Sequence, residues 1–305
     1  MTSQSAPADP TGQVCVGVAR PGDRIRALLD SAGPGLVWAV GGPECVDAGS
    51  DTADPEGDGI DGIDGIDGTA GIDGIDGIDG TAGTAGPAGT DEIDGTAGID
   101  VSGLTAVLAV WPAIGSLVDE GTLLLHTPLA AYGDPAAGDT PGGTTAHHLL
   151  THAEGTAALI RLAEHLSGSP LAEFAAARIW RPLGMTRTRF ADGTLRAPLA
   201  DLVRFLRHLL APAEPGRAVG ISPAWTAESL RIRTGELTPP RGLLWHPAPH
   251  DVWAHHAPAD GAPAVWVSPR HRRWAVLLPG SAATGPAVPL RTAFREAAFA
   301  STPLS

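Results

Sequence analysis

The sequence predicts an α+β fold in which an antiparallel sheet, built from both ends of the chain, is flanked by helices and accompanied by a helical middle region. Short apolar runs at residues 36–40, 264–267 and 274–278 have the length and composition of buried strands. The last two are joined by a polar turn at residues 268–273, a pattern typical of a hairpin. Between the two ends, apolar residues recur at helical spacing. One α+β domain whose sheet combines both termini accounts for this arrangement.

The helices are predicted from apolar periodicity and from residues that begin or end a helix. The first covers residues 21–31, before Gly33 and Pro34 end the run. The longest run, residues 103–120, is predicted to be the most buried, although Pro112 should kink or break it. Further helices are predicted at residues 145–150, 157–166, 171–179, 199–210 and 290–299.

A low-complexity repeat interrupts the N-terminal part. Glycine occupies every third position from residue 59 to residue 89, mostly in Gly-Ile-Asp and Gly-Thr-Ala triplets. A collagen-like helix needs many prolines, and this stretch contains only Pro87; a row of carboxylates that binds hard cations is the other structured alternative. Because glycine loses much entropy on ordering, we interpret residues 54–99 as a disordered or irregular acidic insert. It would separate residues 1–53 from residues 100–305 of the same domain.

Charge and composition exclude several functions. The 305 residues carry a formal net charge of −14, with 34 acidic residues against 20 basic ones that are all arginine. The absence of lysine excludes P-loop phosphate binding, Schiff-base chemistry and a serine–lysine nucleophile pair. The acidic excess argues against nucleic acid and anionic membranes as partners. With no signal peptide or membrane span in the sequence, we expect a cytoplasmic protein in which Cys15 and Cys45 are free thiols.

The chain outside the repeat contains five segments that carry a family resemblance. In chain order they are Val101-Ser-Gly-Leu-Thr-Ala-Val-Leu-Ala-Val110, Thr144-Thr-Ala-His-His-Leu-Leu-Thr-His152, Arg181-Pro-Leu-Gly-Met-Thr-Arg-Thr-Arg-Phe190, Ala200-Asp-Leu-Val-Arg-Phe-Leu-Arg207 and residues 253–278. They resemble the active-site helix, the HLLTH, PLGM and ADLARFLR segments, and the third-motif hairpin of the serine β-lactamase-related family. This family includes class C β-lactamases, D-alanyl-D-alanine carboxypeptidases and esterases. The resemblance implies a β-lactamase/transpeptidase-like fold and a serine hydrolase ancestry.

The nucleophile motif of this family is degenerate here. The family has S-x-x-K, in which an amine one helical turn from the serine takes its proton. One register aligns Asp100 and Ser102 with the first and third positions and deletes the lysine before Gly103; an ungapped shift places Ser102 and Thr105 on the motif. Neither register supplies a base. We therefore interpret Ser102 as a helix N-cap rather than a nucleophile.

The second family motif, Tyr-x-Asn after the HLLTH segment, has no counterpart. The chain passes from Gly155 almost directly into the next helix, so the middle of the domain is interpreted as truncated. This loss should open one side of the site and expose apolar surface. The only tyrosine, Tyr132, lies upstream and is interpreted as a packing residue.

The third family motif, Lys-Thr-Gly or His-Thr-Gly, aligns with His255-His256-Ala257 or with His256-Ala257-Pro258. Neither alignment keeps the hydroxyl and the glycine, and Pro258 offers no N–H to a substrate backbone. We therefore interpret His255 and His256 as structural rather than catalytic.

The HLLTH segment carries a histidine cluster that could bind a metal ion. His148 and His152 are four residues apart, with His147 beside them, but the HExxH pattern is not met and the resemblance explains these histidines. No metal and no cofactor is predicted.

Three hypotheses for function follow. The first is a non-catalytic homologue of the family, with a possible small-molecule or peptide ligand in the remnant cleft. The second is a weakly active hydrolase of esters or β-lactams that uses unrecognised residues. The third is an interaction protein that acts through its acidic glycine repeat.

Overall fold

The structure is a computed structural model that describes residues 21–30, 35–42, 46–50, 98–152, 155–211, 220–235, 239–257, 262–279 and 288–299. Its strands are β1 (Leu36–Gly41), β2 (Val46–Ser50), β3 (Ile99–Asp100), β4 (Arg189–Ala191), β5 (Thr194–Ala197), β6 (His246–Ala248), β7 (Val252–His256), β8 (Ala264–Ser268) and β9 (Arg273–Pro279). Its α-helices are α1 (Pro21–Asp30), α2 (Trp111–Asp119), α3 (Asp134–Ala137), α4 (Ala146–Thr151), α5 (Thr156–Ser167), α6 (Leu171–Ala175), α7 (Leu199–Leu210), α8 (Pro223–Ser229) and α9 (Val288–Phe299). The α+β class is therefore confirmed.

The larger sheet confirms that both ends of the chain build one antiparallel layer. Its strand order is β2-β1-β9-β8-β7-β6. β1 pairs with β9 so that Val40 lies opposite Ala275, and the predicted hairpin of β8 and β9 places Val265 opposite Val276. Apolar side chains on the two faces of these central strands require cover on both sides.

Helices cover both faces of this sheet. On one face, α1 and α9 pack against the strands through a core cluster that includes Ile25, Leu29, Trp38, Trp266 and Phe294. This arrangement confirms the predicted cover by the first and last helices. The helical middle region, from α2 to α8, packs on the other face and forms the larger core of the described residues.

The central helical run begins at Ser102 and changes its geometry along its length. A 3₁₀ turn at Ser102–Leu104 is followed by a π-helical segment at Ala106–Val110 and then by α2. Pro112 has no N–H to donate to the Leu108 carbonyl oxygen four residues earlier, but that oxygen accepts a 2.8 Å hydrogen bond from the Trp180 Nε1, and the run continues instead of breaking. Leu108 and Trp111 are both 0% exposed, which confirms that this run is buried.

A cluster of aromatic side chains fixes α2 to the rest of the helical region. The Trp111 ring lies 6.1 Å from Trp225 and 5.8 Å from Trp245, measured between centroids. Its Nε1 donates a 2.8 Å hydrogen bond to the Ser229 hydroxyl. Trp225 packs so closely on Gly115 that a Cβ atom there would overlap its ring. These contacts make α2 the centre of the larger core.

A second sheet of three strands, in the order β3-β5-β4, lies beside the start of the central run. The sequence does not predict it, because β3, β4 and β5 contain only 2, 3 and 4 residues and show no usable periodicity. The loop before β4 is tied to α7 by the buried Asp201, whose side chain is 1% exposed. Asp201 accepts hydrogen bonds from the Thr188 hydroxyl and the Arg187 N–H at 2.9 and 3.0 Å. Two of the segments that carry the family resemblance therefore meet at this carboxylate.

Several predictions concern residues outside the described ranges. Cys15 and Cys45 are among them, and so is the repeat up to residue 97. The boundaries of the insert and its interaction role therefore stay predictions. Among the described residues, no helix combines the length and the apolar character needed to cross a membrane.

Candidate functional site

Ser102 is the residue that the sequence places nearest to the family's nucleophile position. It lies on the 3₁₀ turn between β3 and the π-helical segment, and its side chain is exposed. The N-cap of this turn is Val101, and no side chain caps it, so the interpretation of Ser102 as an N-cap is wrong. The Ser102 hydroxyl instead accepts a 3.1 Å hydrogen bond from the Leu195 N–H of β5. The hydroxyl is turned across to the small sheet rather than along its own helix axis.

Asp100, the other candidate for the nucleophile position, stabilises the same turn. Its Oδ1 accepts a 2.9 Å hydrogen bond from the Ser102 N–H, two residues along the chain. Asp100 lies at the end of β3, opposite Arg196 of β5. A short carboxylate that binds the backbone two residues ahead is a common way to turn a chain out of a strand. Asp100 and Ser102 thus have well-defined structural roles at this corner.

The turn that carries Ser102 contacts the end of the strand that carries the third motif. A Cβ atom on Gly103 would lie 3.3 Å from the Ala257 Cβ and 3.1 Å from the Pro263 Cδ. Ala257 directly follows β7 and its two histidines. The structure therefore brings together the two segments that resemble the first and third family motifs, although they are far apart in the sequence.

The strand alternation places His255 and His256 on opposite faces of the larger sheet. His255 is buried, and its ring lies 6.4 Å from the Trp245 ring in a perpendicular arrangement, on the side of the helical region. His256 is exposed and shares its face with Ala254, on the side of α1 and α9. Its ring lies 6.4 Å from the ring of His246. Only His255 of the pair faces the helical middle region.

The environment of His255 fixes its protonation state. Burial lowers the pKa of His255 to about 4, although the hydrogen bond to Leu244 acts in the opposite direction. The Nδ1 atom lies 2.7 Å from the Leu244 carbonyl oxygen, which can only accept, so Nδ1 carries the proton of a neutral ring. Burial also lowers the pKa of His246, with smaller contributions from Arg241 and His256. Both rings are therefore uncharged at neutral pH.

Leu244 connects His255 to the HLLTH segment, a link that the sequence does not reveal. Its N–H donates a 2.7 Å hydrogen bond to the Leu150 carbonyl oxygen in α4. Leu244 has a φ of 62°, a left-handed conformation that is uncommon for a leucine. A strained residue of this kind persists when its surroundings hold it, and here both of its backbone polar groups are bonded.

In the described part of the chain, Tyr132 makes no hydrogen bond to Ser102 or His255. Its hydroxyl accepts a 2.8 Å hydrogen bond from the Leu124 N–H, and its ring packs against the larger core. The His165 ring binds the Tyr132 carbonyl oxygen at 2.8 Å. These contacts agree with the packing role that the sequence predicts for Tyr132.

Four histidines lie together on one surface of the helical region. His148 and His152 stack with ring centroids 4.0 Å apart, and His147 lies 4.6 Å from His126. The sequence singles out His147, His148 and His152 but not His126, which comes from an earlier loop and joins them only in the fold. In the part of the chain that the structure describes, no group of three or more potential ligand side chains is placed to hold one metal ion.

Comparisons with solved structures identify the fold. No family model matches the sequence, and no curated relative matches it. A penicillin-binding protein homologue from Caulobacter crescentus is similar with a TM-score of 0.62 and 13% identity, over 94% of this chain and 99% of that chain. A class C β-lactamase from Rhodobacter sphaeroides has a TM-score of 0.58 and 12% identity, over 91% of this chain and 99% of that chain. A family VIII carboxylesterase has a TM-score of 0.60 and 14% identity, over 92% of this chain and 98% of that chain.

These similarities define the class of the fold. The chain has the β-lactamase/transpeptidase-like fold that serine β-lactamases, penicillin-binding proteins and carboxylesterases share. The resemblance read from the sequence is therefore confirmed for the fold.

Proposed function

We propose that the protein is a non-catalytic homologue of the serine hydrolases with this fold, and that its remnant cleft holds a small molecule or a peptide. The observation that carries the proposal is the state of Ser102. Its hydroxyl accepts a hydrogen bond from the Leu195 N–H, and the whole chain contains no lysine to take its proton. A serine hydroxyl without an adjacent base is a weak nucleophile.

The state of His255 also supports the absence of catalysis. A general base must reach the proton it removes, directly or through one water molecule. The Nδ1 of His255 donates to the Leu244 carbonyl oxygen, so only its Nε2 could accept a proton; among the described residues the partner of the Ser102 hydroxyl is the Leu195 N–H and not this ring. His256 is turned to the opposite face of the sheet. We therefore expect neither histidine to act on the Ser102 hydroxyl.

A weakly active hydrolase of esters or β-lactams is the alternative function, and one observation favours it. The Ser102 turn packs directly against Ala257 at the end of the third-motif strand, so the two sides of a cleft are still in contact. An ester or β-lactam bound there as acyl donor would still need a group that takes the proton of the Ser102 hydroxyl. The cytoplasmic location stays a prediction of the sequence.

Covalent labelling tests the proposal. The full-length protein is mixed with a fluorescent penicillin and, separately, with a fluorophosphonate, and the intact mass is measured. We expect no adduct with either reagent. The Ser102→Ala variant is the matched control. An adduct on the unchanged protein that disappears in this variant would show a working serine nucleophile and would overturn the proposal.

Ligand retention is tested separately from chemistry. A peptide that ends in D-alanyl-D-alanine and an intact β-lactam are titrated while the amide NMR signals of Gly103 and Ala257 are followed. These residues form the contact between the two sides of the cleft. We expect saturable shifts confined to this region. If neither compound moves these signals, binding of these two compounds in the cleft is excluded. The labelling experiment then still decides separately whether the serine is a nucleophile.

A further inference from the structure

Two exposed arginines lie side by side on the outer face of the small sheet. Arg189 of β4 and Arg196 of β5 are directly opposite each other in the strand register, so their side chains leave the sheet on the same face. Leu195, the preceding residue of β5, is buried in the larger core. One face of the small sheet therefore packs on the core, and the other carries Arg189 and Arg196. We call this second face the arginine face.

Few anions balance the arginine face within the described residues. Asp100 of β3 lies opposite Arg196 on its other side, but it forms no ion pair there and binds a backbone N–H instead. The two guanidinium groups bind only carbonyl oxygens, that of Arg187 for Arg189 and that of Gly98 for Arg196, each at 3.3 Å. Since a guanidinium has five N–H donors, most of them are left for other acceptors. Like charges directly opposite on neighbouring strands destabilise a sheet, so an added carboxylate would stabilise this one.

The charges of the chain are divided unevenly along the sequence. Residues 178–207, which include β4 and β5, contain seven arginines and two aspartates. One of these aspartates, Asp201, is buried and already paired with Arg204 at 2.7 Å. By contrast, residues 51–97 contain 13 carboxylates and no arginine, so they hold all but one unit of the formal net charge of −14. An acidic segment and an arginine-rich segment of the same chain are therefore complementary in charge.

The connections of the sheets bring the acidic segment to the arginine face. The described chain leaves β2, an edge strand of the larger sheet, at Ser50 and resumes at Gly98, directly before β3 of the small sheet. The Gly98 carbonyl oxygen is the one that Arg196 binds. Because a chain spans at most about 3.6 Å per residue, Asp94 can lie no farther than about 14 Å from Gly98. Such a tether raises the effective concentration of the carboxylates at the face to the order of millimolar.

We propose that the arginine face is the docking surface for the acidic glycine repeat of the same chain, residues 51–97. An interaction through this repeat, the third function considered from the sequence, then has its partner within the molecule. A single exposed ion pair adds little, so the contact depends on the tether and on several carboxylates that exchange on the same two arginines. Aspartate recurs at every third position in the Gly-Ile-Asp triplets, so many registers present an anion. The inference is independent of the proposed function, because it involves no ligand and no chemistry in the cleft.

Paramagnetic relaxation in the full-length protein tests the contact. Cys15 and Cys45 are changed to serine, and a spin label is attached through Ala70→Cys, in the middle of the repeat. A freely moving linker of about 28 residues spans about 30 Å on average, so a label at this position acts weakly unless the repeat is held. At low salt we expect clear broadening of the amide signals of Ala191 and Thr194, which pair in the small sheet. In about 1 M salt, where the Debye length is about 3 Å, the signals should recover.

Variants of matched charge show whether the arginine face is responsible. Arg189→Gln/Arg196→Gln should lose most of the broadening on the small sheet. The control Arg231→Gln/Arg270→Gln removes two exposed arginines that already have carboxylate partners, and it should keep the broadening. Circular dichroism checks that both variants fold. The proposal is overturned if the unchanged protein shows no broadening at low salt, or if the broadening persists in Arg189→Gln/Arg196→Gln.

A mixed sample distinguishes the repeat of the same chain from that of a second copy. Spin-labelled protein without isotopes is mixed with an equal amount of isotope-labelled protein without a spin label. We expect no broadening in the isotope-labelled chains, because the contact is intramolecular. Broadening on their small sheet would assign the arginine face to the repeat of a second copy and would overturn the proposal.

Competition measures how well the repeat occupies the face. A synthetic peptide of residues 58–80 is titrated into the unchanged protein and into a full-length variant whose carboxylates between residues 51 and 97 are changed to the corresponding amides. The peptide should bind the variant at least about tenfold more tightly, because the repeat of the variant no longer competes. Equal affinities for the two proteins would contradict occupancy of the arginine face by the repeat.

Discussion

The Nδ1 atom of His255 lies 2.7 Å from the carbonyl oxygen of Leu244, and this contact joins the third-motif strand to the helical region. The N–H of the same leucine binds the Leu150 carbonyl oxygen in α4. A histidine at a position that resembles a catalytic motif therefore serves as a buried hydrogen-bond donor. Its neutral state is part of the folded structure, because protonation would place an uncompensated charge in the core.

The first prediction is that stability falls as the pH is lowered through the range set by His255. In the folded state the pKa of His255 is about 4, below its usual value of 6.5, so the unfolded chain binds the proton first. The stabilisation from this residue is complete above pH 6.5 and is lost as the pH falls towards 4, a loss of about 3 kcal/mol. Urea unfolding at a series of pH values measures it.

The His255→Phe variant tests the assignment of this pH dependence. It removes the titrating ring, so its free energy of unfolding should change less between pH 6.5 and pH 4.5 than that of the unchanged protein. Gly142→Ala leaves every histidine in place and meets no neighbouring atom, so it should keep the original slope. A His255→Phe protein with an unaltered slope would assign the effect to other groups, among them His147 and His246, whose pKa values are lowered in the same direction.

The second prediction concerns the close approach of α2 to Trp225. A Cβ atom on Gly115 would overlap the Trp225 ring, which is itself held by a 3.1 Å hydrogen bond from its Nε1 to the Trp111 carbonyl oxygen. Gly115→Ala should therefore reduce the free energy of unfolding by about 1–3 kcal/mol, although alanine has the higher helix propensity. At Gly142 an added Cβ meets nothing within 4 Å, so Gly142→Ala should stay within about 0.5 kcal/mol. Equal effects at the two sites would contradict this packing.

The third prediction concerns the buried carboxylate of Asp201. Besides its bonds to the loop before β4, it accepts a 2.7 Å hydrogen bond from Arg204. Asp201→Ala leaves these donors without their acceptor and should cost about 3 kcal/mol of unfolding free energy. Asp201→Asn keeps one acceptor oxygen and should cost less. Asp119→Ala, at an exposed aspartate, is the control, and chemical denaturation compares the three variants.

The sequence predicts the elements whose apolar pattern is long and regular. α7 covers the predicted residues from Leu199 to Leu210, and β8 and β9 form the predicted hairpin, because each buries one continuous apolar set. The predicted helix over residues 103–120 is correct in place but not in geometry, since periodicity cannot distinguish a π-helical segment from an α-helix.

The parts of the site that the sequence does not predict depend on contacts between distant residues. The Ser102 hydroxyl binds the Leu195 N–H of a strand far along the chain, which no local rule for helix N-caps anticipates. His126 reaches His147 only because a loop is fixed on α4. By contrast, once β7 is known, the alternation of side chains along a strand predicts that His255 and His256 lie on opposite faces of the sheet.

The last prediction is that rebuilding the nucleophile motif does not restore a fast enzyme. The rebuilt protein carries Asp100→Ser and one lysine inserted between Ser102 and Gly103. It should show at most feeble hydrolysis of a chromogenic β-lactam or a p-nitrophenyl ester, and the unchanged protein none. The substitution removes the carboxylate that accepts a hydrogen bond from the Ser102 N–H, and the insertion displaces Gly103 from its contacts with Ala257 and Pro263.

The inserted lysine is not expected to act as a base. A lysine does so only when burial or a neighbouring cation lowers its pKa, and the second-motif groups that would enclose it are not found in the sequence. Removing members of a catalytic unit costs nearly as much as removing all of them, so a hydroxyl and a protonated amine alone are inert. Steady-state rates of both proteins and of a version with the inserted lysine changed to alanine decide the matter. Rapid turnover that depends on the inserted lysine would refute the importance of the missing groups, and turnover by the unchanged protein would refute the proposed absence of catalysis.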